Sequence, residues 1–473
     1  MYCSNYPRIV IGGLAGDSGK TVISCGLLAY FKNRGVNVSG FKKGPDYIDA
    51  AWLSLVLDKP ARNLDTFMMG VQKVKKSFLK NASTDGINIV EGNRGLFDGC
   101  DNNGTYSTAE LAKLLHSPVI IIQDVTKVTR TAAAAVLGCK TLDPDLKIEG
   151  IILNRVAGSR HEKVAREAIE GITGIPVLGA IPKLPGRFIL PSRYLGLITP
   201  IEFEQKAVFL SELENIIKNN VNVASLIEIA RRATSINTEG LLDREEEEPN
   251  KQATVKIGYF KDKAFSFYYP ENLEMLAEKG AELIPISSVH NSYFFDLDAL
   301  YIGGGFPEIN LAYLTSNRGM IAAVKQLAEE GLPIYAECGG LMYLAKEIVW
   351  KEKKYSLSGV LPVVIHMQDK PQGHGYCEMI VDSDNPYYET GTVIRGHEFH
   401  YSKVYDYDPG IRSALAVSRG CGCFQKRDGL VYKKVFASYV HVHATSTPEW
   451  VNGMMKCAKD YKYLKTSRLV GAH

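Results

Sequence analysis

Residues 8–13, RIVIGG, run straight into GDSGKT at residues 16–21 and then into an apolar-periodic stretch reaching residue 33. A strand that turns through a glycine loop into a helix presents successive backbone N–H groups at the helix N-terminus, a cradle for phosphate. Such a strand is buried on both faces, so the unit belongs in a parallel sheet covered by helices. The next two hundred residues repeat the pattern. Apolar runs INIVEG, PVIIIQD, IEGIILNRV and IPVLGAIP alternate with helical periodicity that starts after residues 107, 129 and 161.

The character changes at residues 241–254, LLDREEEEPNKQAT, where four glutamates and a proline repel one another and bury nothing. Beyond this linker a second alternation begins with VKIGYF, a helix after residue 270, AELIPI, DALYIGGG, a helix over 316–330 and PIYAE. Later segments rich in Tyr, Val and turn residues read as added antiparallel strands. The expected division is residues 1–235, a linker over 236–253, a second domain over 254–455 and a C-terminal tail over 456–473. A chain of 473 residues exceeds one ordinary core and agrees with that count.

Fifty-five basic against 52 acidic residues give a net charge of +3, with no electrostatic case for nucleic acid or an anionic membrane. No signal peptide or membrane span fits the start of the chain. Nine cysteines without repeat spacing argue against a disulfide framework and for a reduced, cytoplasmic protein. Cys421 and Cys423 read as a structural turn.

In the phosphate loop, Gly16, Asp17, Ser18, Gly19, Lys20 and Thr21 are the nucleotide-binding candidates. Lys20 would reach the terminal phosphates and the Thr21 hydroxyl would ligate Mg²⁺. The spacing departs from GxxxxGK[ST], because Leu14 stands at the first glycine position. Glu91 ends a strand as an acid would beside Mg²⁺, and Asn154 ends another, from which its amide would read the adenine edge. FKKGPDYIDAAW places Lys42, Lys43, Asp46, Tyr47 and Asp49 after a strand; by composition this is an anion- and metal-holding loop or a salt-bridged surface loop. Asp98, in NRGLFDG, is the residue to watch in a second glycine loop.

A separate chemistry is written in PIYAECGGLMYL. Cys338 stands where a buried strand turns into a helix, a place where the helix dipole stabilises a thiolate and backbone N–H groups hold an oxyanion. The oxyanion donors are expected from Gly339 and the turn at 303–308, GGGFPE. FASYVHVHA reads as a period-two strand that puts His441 and His443 on the same face, and one of them is expected to be the base. An amide-cleaving centre and an ATP-splitting centre on one chain point to a glutamine-dependent, ATP-driven amide-forming enzyme.

The ordered motifs GDSGKT, FKKGPDYIDAAW, ARNLDTFM, EGNRGLFDG, STAELAKLL, LNRVAG, FSFYYPENL, YIGGGFPE, AECGGLMYL, GHEFHYS and SYVHVH closely resemble the cobyrinate a,c-diamide synthase family over nearly the whole chain. The resemblance implies two doubly wound α/β domains. One is a P-loop domain like that of dethiobiotin synthetase, the other a class I glutamine amidotransferase domain. It implies glutamine hydrolysis at Cys338 with His441 as base, and ATP·Mg²⁺-driven activation of the a and c acetates of cobyrinic acid as acyl phosphates. By the same likeness Gly19, Lys20 and Thr21 bind phosphate, Glu91 stands beside the metal, and Asp46, Tyr47 and Asp49 belong to the substrate motif. Partners would be a tetrapyrrole polycarboxylate, glutamine and ATP, and a homodimer stays open. One departure concerns the third triad member: many class I amidotransferases carry Glu two residues after the catalytic His, and here that position is His443. The alternatives are Ni-sirohydrochlorin a,c-diamide synthase, on the route to coenzyme F430, and a P-loop switch ATPase. The switch typically carries a second lysine in its loop, absent at Leu14, Ala15, Asp17 and Ser18.

Overall fold

The computed structural model describes residues 3–4, 6–185, 192–193, 196–237, 254–291 and 296–470. These fall into two compact units, Met1–Glu245 and Glu246–His473.

In the first unit, β1 (Arg8–Gly13) leads to α1 (Lys20–Lys32), β2 (Val38–Lys43) to α2 (Tyr47–Leu57), and short β3 (Arg62–Leu64) precedes β4 (Ile87–Glu91). Then follow α3 (Thr108–Leu114), β5 (Val119–Asp124), α4 (Arg130–Leu142), β6 (Ile148–Val156), α5 (Ser159–Thr173) and β7 (Val177–Pro182). The seven strands pair in the order β3-β2-β4-β1-β5-β6-β7, every pair parallel. All six residues of β1 and all five of β4 are buried, the continuous burial of a sheet covered on both faces. Arg8, at the start of the central strand, is fully buried, and its guanidinium donates to Leu115 O (2.7 Å), Tyr6 O (2.8 Å), His116 O (3.2 Å) and Thr234 O. Strand order reverses across β1, so the loop after β1 opens at a switch point, where open α/β sheets bind ligands.

In the second unit β8 (Val255–Phe260), α6 (Pro270–Glu278), β9 (Ala281–Ile286), β10 (Ala299–Ile302), α7 (Arg318–Glu329), β11 (Ile334–Glu337) and α8 (Gly339–Leu344) form the α/β part. Antiparallel strands follow: β12 (Gly373–Val381), β13 (Val393–His400), β14 (Arg412–Arg419), β15 (Arg427–Tyr432), β16 (Val435–Ser438) and β17 (His441–Val442), with α9 (Pro448–Val470) last. The ten-stranded order is β9-β8-β10-β11-β16-β15-β14-β12-β13-β17. It is parallel from β9 to β16 and antiparallel beyond. Only residues 439–440 separate β16, mid-sheet, from β17, which pairs with β13, so the antiparallel half curls back on the α/β half.

Two expected boundaries are corrected. Ile236–Asn237 is no linker: it pairs antiparallel with Cys3–Ser4, and Ile236 is buried in the first unit. Residues 238–253 lie outside those described. Nor does a tail begin at 456, because α9 runs unbroken from Pro448 to Val470. Trp450, Val451, Met454, Met455 and Ala458 bury its first turns in the core, which carries the helix forward. Among the described residues no helix is long and apolar enough to cross a membrane.

Candidate functional site

The loop between β1 and α1 folds around its glycines. Asp17 (φ 53°) and Gly19 (φ 94°) are left-handed, and a Cβ on Gly19 would lie 2.3 Å from Asn154 Nδ2. Nothing lies within 4 Å of the place a Gly16 Cβ would take, so that side of the loop is open. Lys20 Nζ donates to Ala15 O (2.9 Å) and Arg94 O (2.8 Å), stretched across the loop it would leave to meet a phosphate. Burial, with the Lys42 charge nearby, lowers the Lys20 ammonium to about 8. Asn154 Nδ2 donates to Ser18 O (2.8 Å), so the structure places this amide against the loop itself. Arg155, which sequence reasoning did not single out, adds a second brace: it donates to Asp17 O (2.8 Å) and pairs with Asp124.

Beneath the loop lies a buried ionic cluster. Thr21 Oγ1 donates to Glu91 Oε1 (2.6 Å), and Lys42 Nζ meets both Glu91 Oε1 (2.8 Å) and Asp49 Oδ2 (2.6 Å). Burial pulls the Lys42 ammonium down, but Asp49, Glu91 and Asp46 together outweigh it and raise it. Glu91 is shifted up, chiefly by burial. Asp46, the N-cap of α2, accepts from Asp49 N–H (2.9 Å), and burial with the Asp49 charge raises it to about 7. Tyr47 begins α2 beside them. Lys43 ends β2, its ammonium lowered by burial against the pull of Asp65. Asp98 is exposed and accepts from Gly95 N–H (2.8 Å), closing its glycine loop. The glycine-loop residues, Glu91 and the FKKGPDYID residues thus meet at the C-terminal ends of β1, β2 and β4.

In the second unit Cys338 joins β11 to α8 with φ 47° and ψ −99°, a conformation that costs about 1–3 kcal/mol. Its N–H donates to Ser438 O (2.7 Å) and its carbonyl accepts from Met342 N–H (3.0 Å). Gly340 permits the approach, for a Cβ there would lie 2.2 Å from Ile302 O. Burial pushes the Cys338 thiol up and the Glu308 carboxylate adds to it, against the opposing Gly339 N–H.

The glycine turn serves two partners. A Cβ on Gly339 would sit 3.2 Å from Gly305 N, and one on Gly304 would sit 2.4 Å from His441 Cε1. Two expected oxyanion donors are already engaged: Gly303 N–H donates to Tyr268 OH (2.9 Å) and Phe306 N–H to Ala264 O (2.9 Å). His441, buried, stacks on His397 at 4.9 Å, and its Nδ1 lies 3.5 Å from Glu337 Oε2. His443 points elsewhere: Nε2 lies 3.5 Å from Glu271 Oε2, and Nδ1 accepts from Thr445 N–H (3.2 Å). The structure therefore separates the two histidines and sets His441 over the turn. Sequence reasoning missed His397 and Glu337. The second left a signal, an acid ending an otherwise apolar buried strand.

Residues 9–195 match the CobQ/CobB/MinD/ParA nucleotide binding domain family and residues 256–449 the CobB/CobQ-like glutamine amidotransferase domain family. The chain is similar to a cobyrinate a,c-diamide synthase of Magnetococcus marinus, 41% identical over 94% of this chain and 95% of that one. It is also similar to proteins of the same name from Dehalococcoides mccartyi (39%, covering 97% and 99%) and Archaeoglobus fulgidus (36%, covering 96% and 98%).

Proposed function

Because the chain belongs to the cobyrinate a,c-diamide synthase family, we propose that it amidates the a and c acetate carboxylates of cobyrinic acid, using glutamine as nitrogen source and ATP to activate the acid. The observation that carries this reading is Cys338, strained at a strand–helix junction beside the glycine turn that His441 covers, on the same chain as the Lys20 phosphate loop.

In the amidotransferase half, His441 takes the Cys338 proton as sulfur attacks the glutamine carboxamide carbon. The N–H groups of Gly339 and of the 303–308 turn other than Gly303 and Phe306 stabilise the oxyanion. His441 then returns the proton to the departing nitrogen, which leaves as ammonia, and water cleaves the thioester to glutamate. In the nucleotide-binding half, a substrate carboxylate oxygen attacks the γ-phosphorus and ADP departs. Ammonia then adds to the acyl carbon and expels phosphate. Lys20 neutralises charge on the transferring group, and Lys43, Asp46, Tyr47, Asp49 and Asp98 hold the substrate. Asn154 stays the candidate for the base edge. Thr21 and Glu91, hard oxygen donors 2.6 Å apart, suit Mg²⁺, whose chemistry there is to screen phosphate charge. The reactants are soluble small molecules of the cytoplasm.

The test supplies ATP, Mg²⁺ and either glutamine or an ammonium salt, offers cobyrinic acid and Ni-sirohydrochlorin side by side, and reads product mass. Cys338→Ser is expected to lose the glutamine-supported reaction and keep the ammonia-supported one, and Lys20→Ala to lose both. Amidation of the nickel macrocycle alone would move the chain to the F430 route. Turnover by Lys20→Ala would remove ATP activation from this loop.

A further inference from the structure

We propose that Glu337 is the positioning residue that orients and charges His441, in the place of the Glu that many class I amidotransferases carry two residues after the base. This rests on the glutaminase reading of Cys338 and His441. Glu337 is the last residue of β11 and fully buried, with Oε2 3.5 Å from His441 Nδ1. It is not free to wander. Tyr301 OH donates to Oε2 (3.0 Å) and Val442 N–H to Oε1 (3.3 Å), so each oxygen is anchored. Asn272 ties the same parts together: Nδ2 donates to Val442 O (2.9 Å) and lies 3.3 Å from Tyr301 OH, while Oδ1 accepts from Ala444 N–H (2.7 Å). Carboxylate and base strand are thus referred to one Asn–Tyr pair, and their separation is fixed from both sides.

The chemistry follows from that placement. A carboxylate facing Nδ1 favours the tautomer protonated there, which leaves Nε2 as the basic nitrogen. It also stabilises the imidazolium that forms when the Cys338 proton arrives, as a triad's third member does. The other groups packed around His441 do not supply this. His397, stacked on it, is held neutral by burial with the His441 charge adding to the effect. Tyr301 is held well above its usual range by burial and stays a neutral donor. His443 is engaged with Glu271 and Thr445, Tyr269 lies against His397 and His443, and His374 bears on His397. Placing the acid next to the nucleophile in sequence makes β11 supply both flanks of the base.

The test measures glutaminase kcat/KM of the full chain between about pH 5 and 9, with melting curves as a check on folding. Glu337→Gln is expected to lower the plateau at least about tenfold. It should also move the acidic limb to lower pH, since an imidazolium without its counter-charge gives up its proton more easily. Glu337→Asp should restore the limb. Tyr301→Phe, which relieves the carboxylate of a donor, should move it the other way, and this variant serves if Glu337→Gln does not fold. A limb that stays put in both variants, or moves the same way in both, overturns the proposal. Cys338→Ser in the same assay separates the two readings: hydrolysis surviving there would remove the glutaminase centre itself, and with it the basis for Glu337.

Discussion

Gly304 has no room for a side chain. A Cβ there would lie 2.4 Å from His441 Cε1, 3.3 Å from Nε2 and 3.4 Å from Nδ1. Carbon atoms settle at about 3.5 Å or more, so Gly304→Ala must open that contact by about 1 Å. His441 cannot yield outward easily, being buried with the His397 ring at 4.9 Å on one side and Glu337 at 3.5 Å from Nδ1. A displacement of about 1 Å in a catalytic group costs about 100-fold in rate, and overpacking costs about 1–3 kcal/mol of stability. Glutaminase turnover of Gly304→Ala is therefore expected to fall about 100-fold while ammonia-supported amidation stays at the parent level. Because the lesion acts through the base, adding Gly304→Ala to His441→Ala should cost little further, a strongly non-additive pair. Glutaminase activity within threefold of the parent (a ~0.6 kcal/mol change), or full additivity with His441→Ala, would refute the reasoning.

Two further outcomes concern stability. Lys42→Met leaves Glu91 as an uncompensated buried charge beside the half-buried Asp49 and should cost about 3–5 kcal/mol, read as a lower urea midpoint; the deficit should shrink toward acid pH, where Glu91, already raised by burial, takes up a proton. An unchanged midpoint would mean the cluster relaxes. Asp428 is buried, and burial raises it to about 6 in the folded chain from 3.8. The stabilisation it contributes is full below 3.8 and is lost as pH rises through about 6, so Asp428→Asn should flatten the fall in stability across that window. Equal slopes for parent and variant would contradict this.

The sheet of the first unit was legible because strands buried on both faces spell themselves as apolar runs, and the glycine loop because Gly16, Gly19 and Lys20 fall within one short stretch. Cys338 showed itself in the same local way, a reactive group at a strand–helix junction. What stayed hidden depends on pairings between distant segments. His397 meets His441 through the β13–β17 register, and no periodicity in either segment announces that partnership. Glu337 was visible as a residue, but its facing the base follows from β11 lying beside β16 and the chain doubling back two residues later. The period-two reading of HVH failed because β17 holds only two residues before the turn at 443. The upward push of burial on the Cys338 thiol likewise depends on packing that no local motif spells out.

Helix α9 ties a distant stretch of sequence to the candidate site of the second unit. Trp450 packs its ring 5.1 Å from that of Tyr301, so the hydroxyl that steadies Glu337 is wedged from behind by the first turn of that helix. A lesion there, more than a hundred residues along the chain from Cys338, is therefore felt at the carboxylate beside His441.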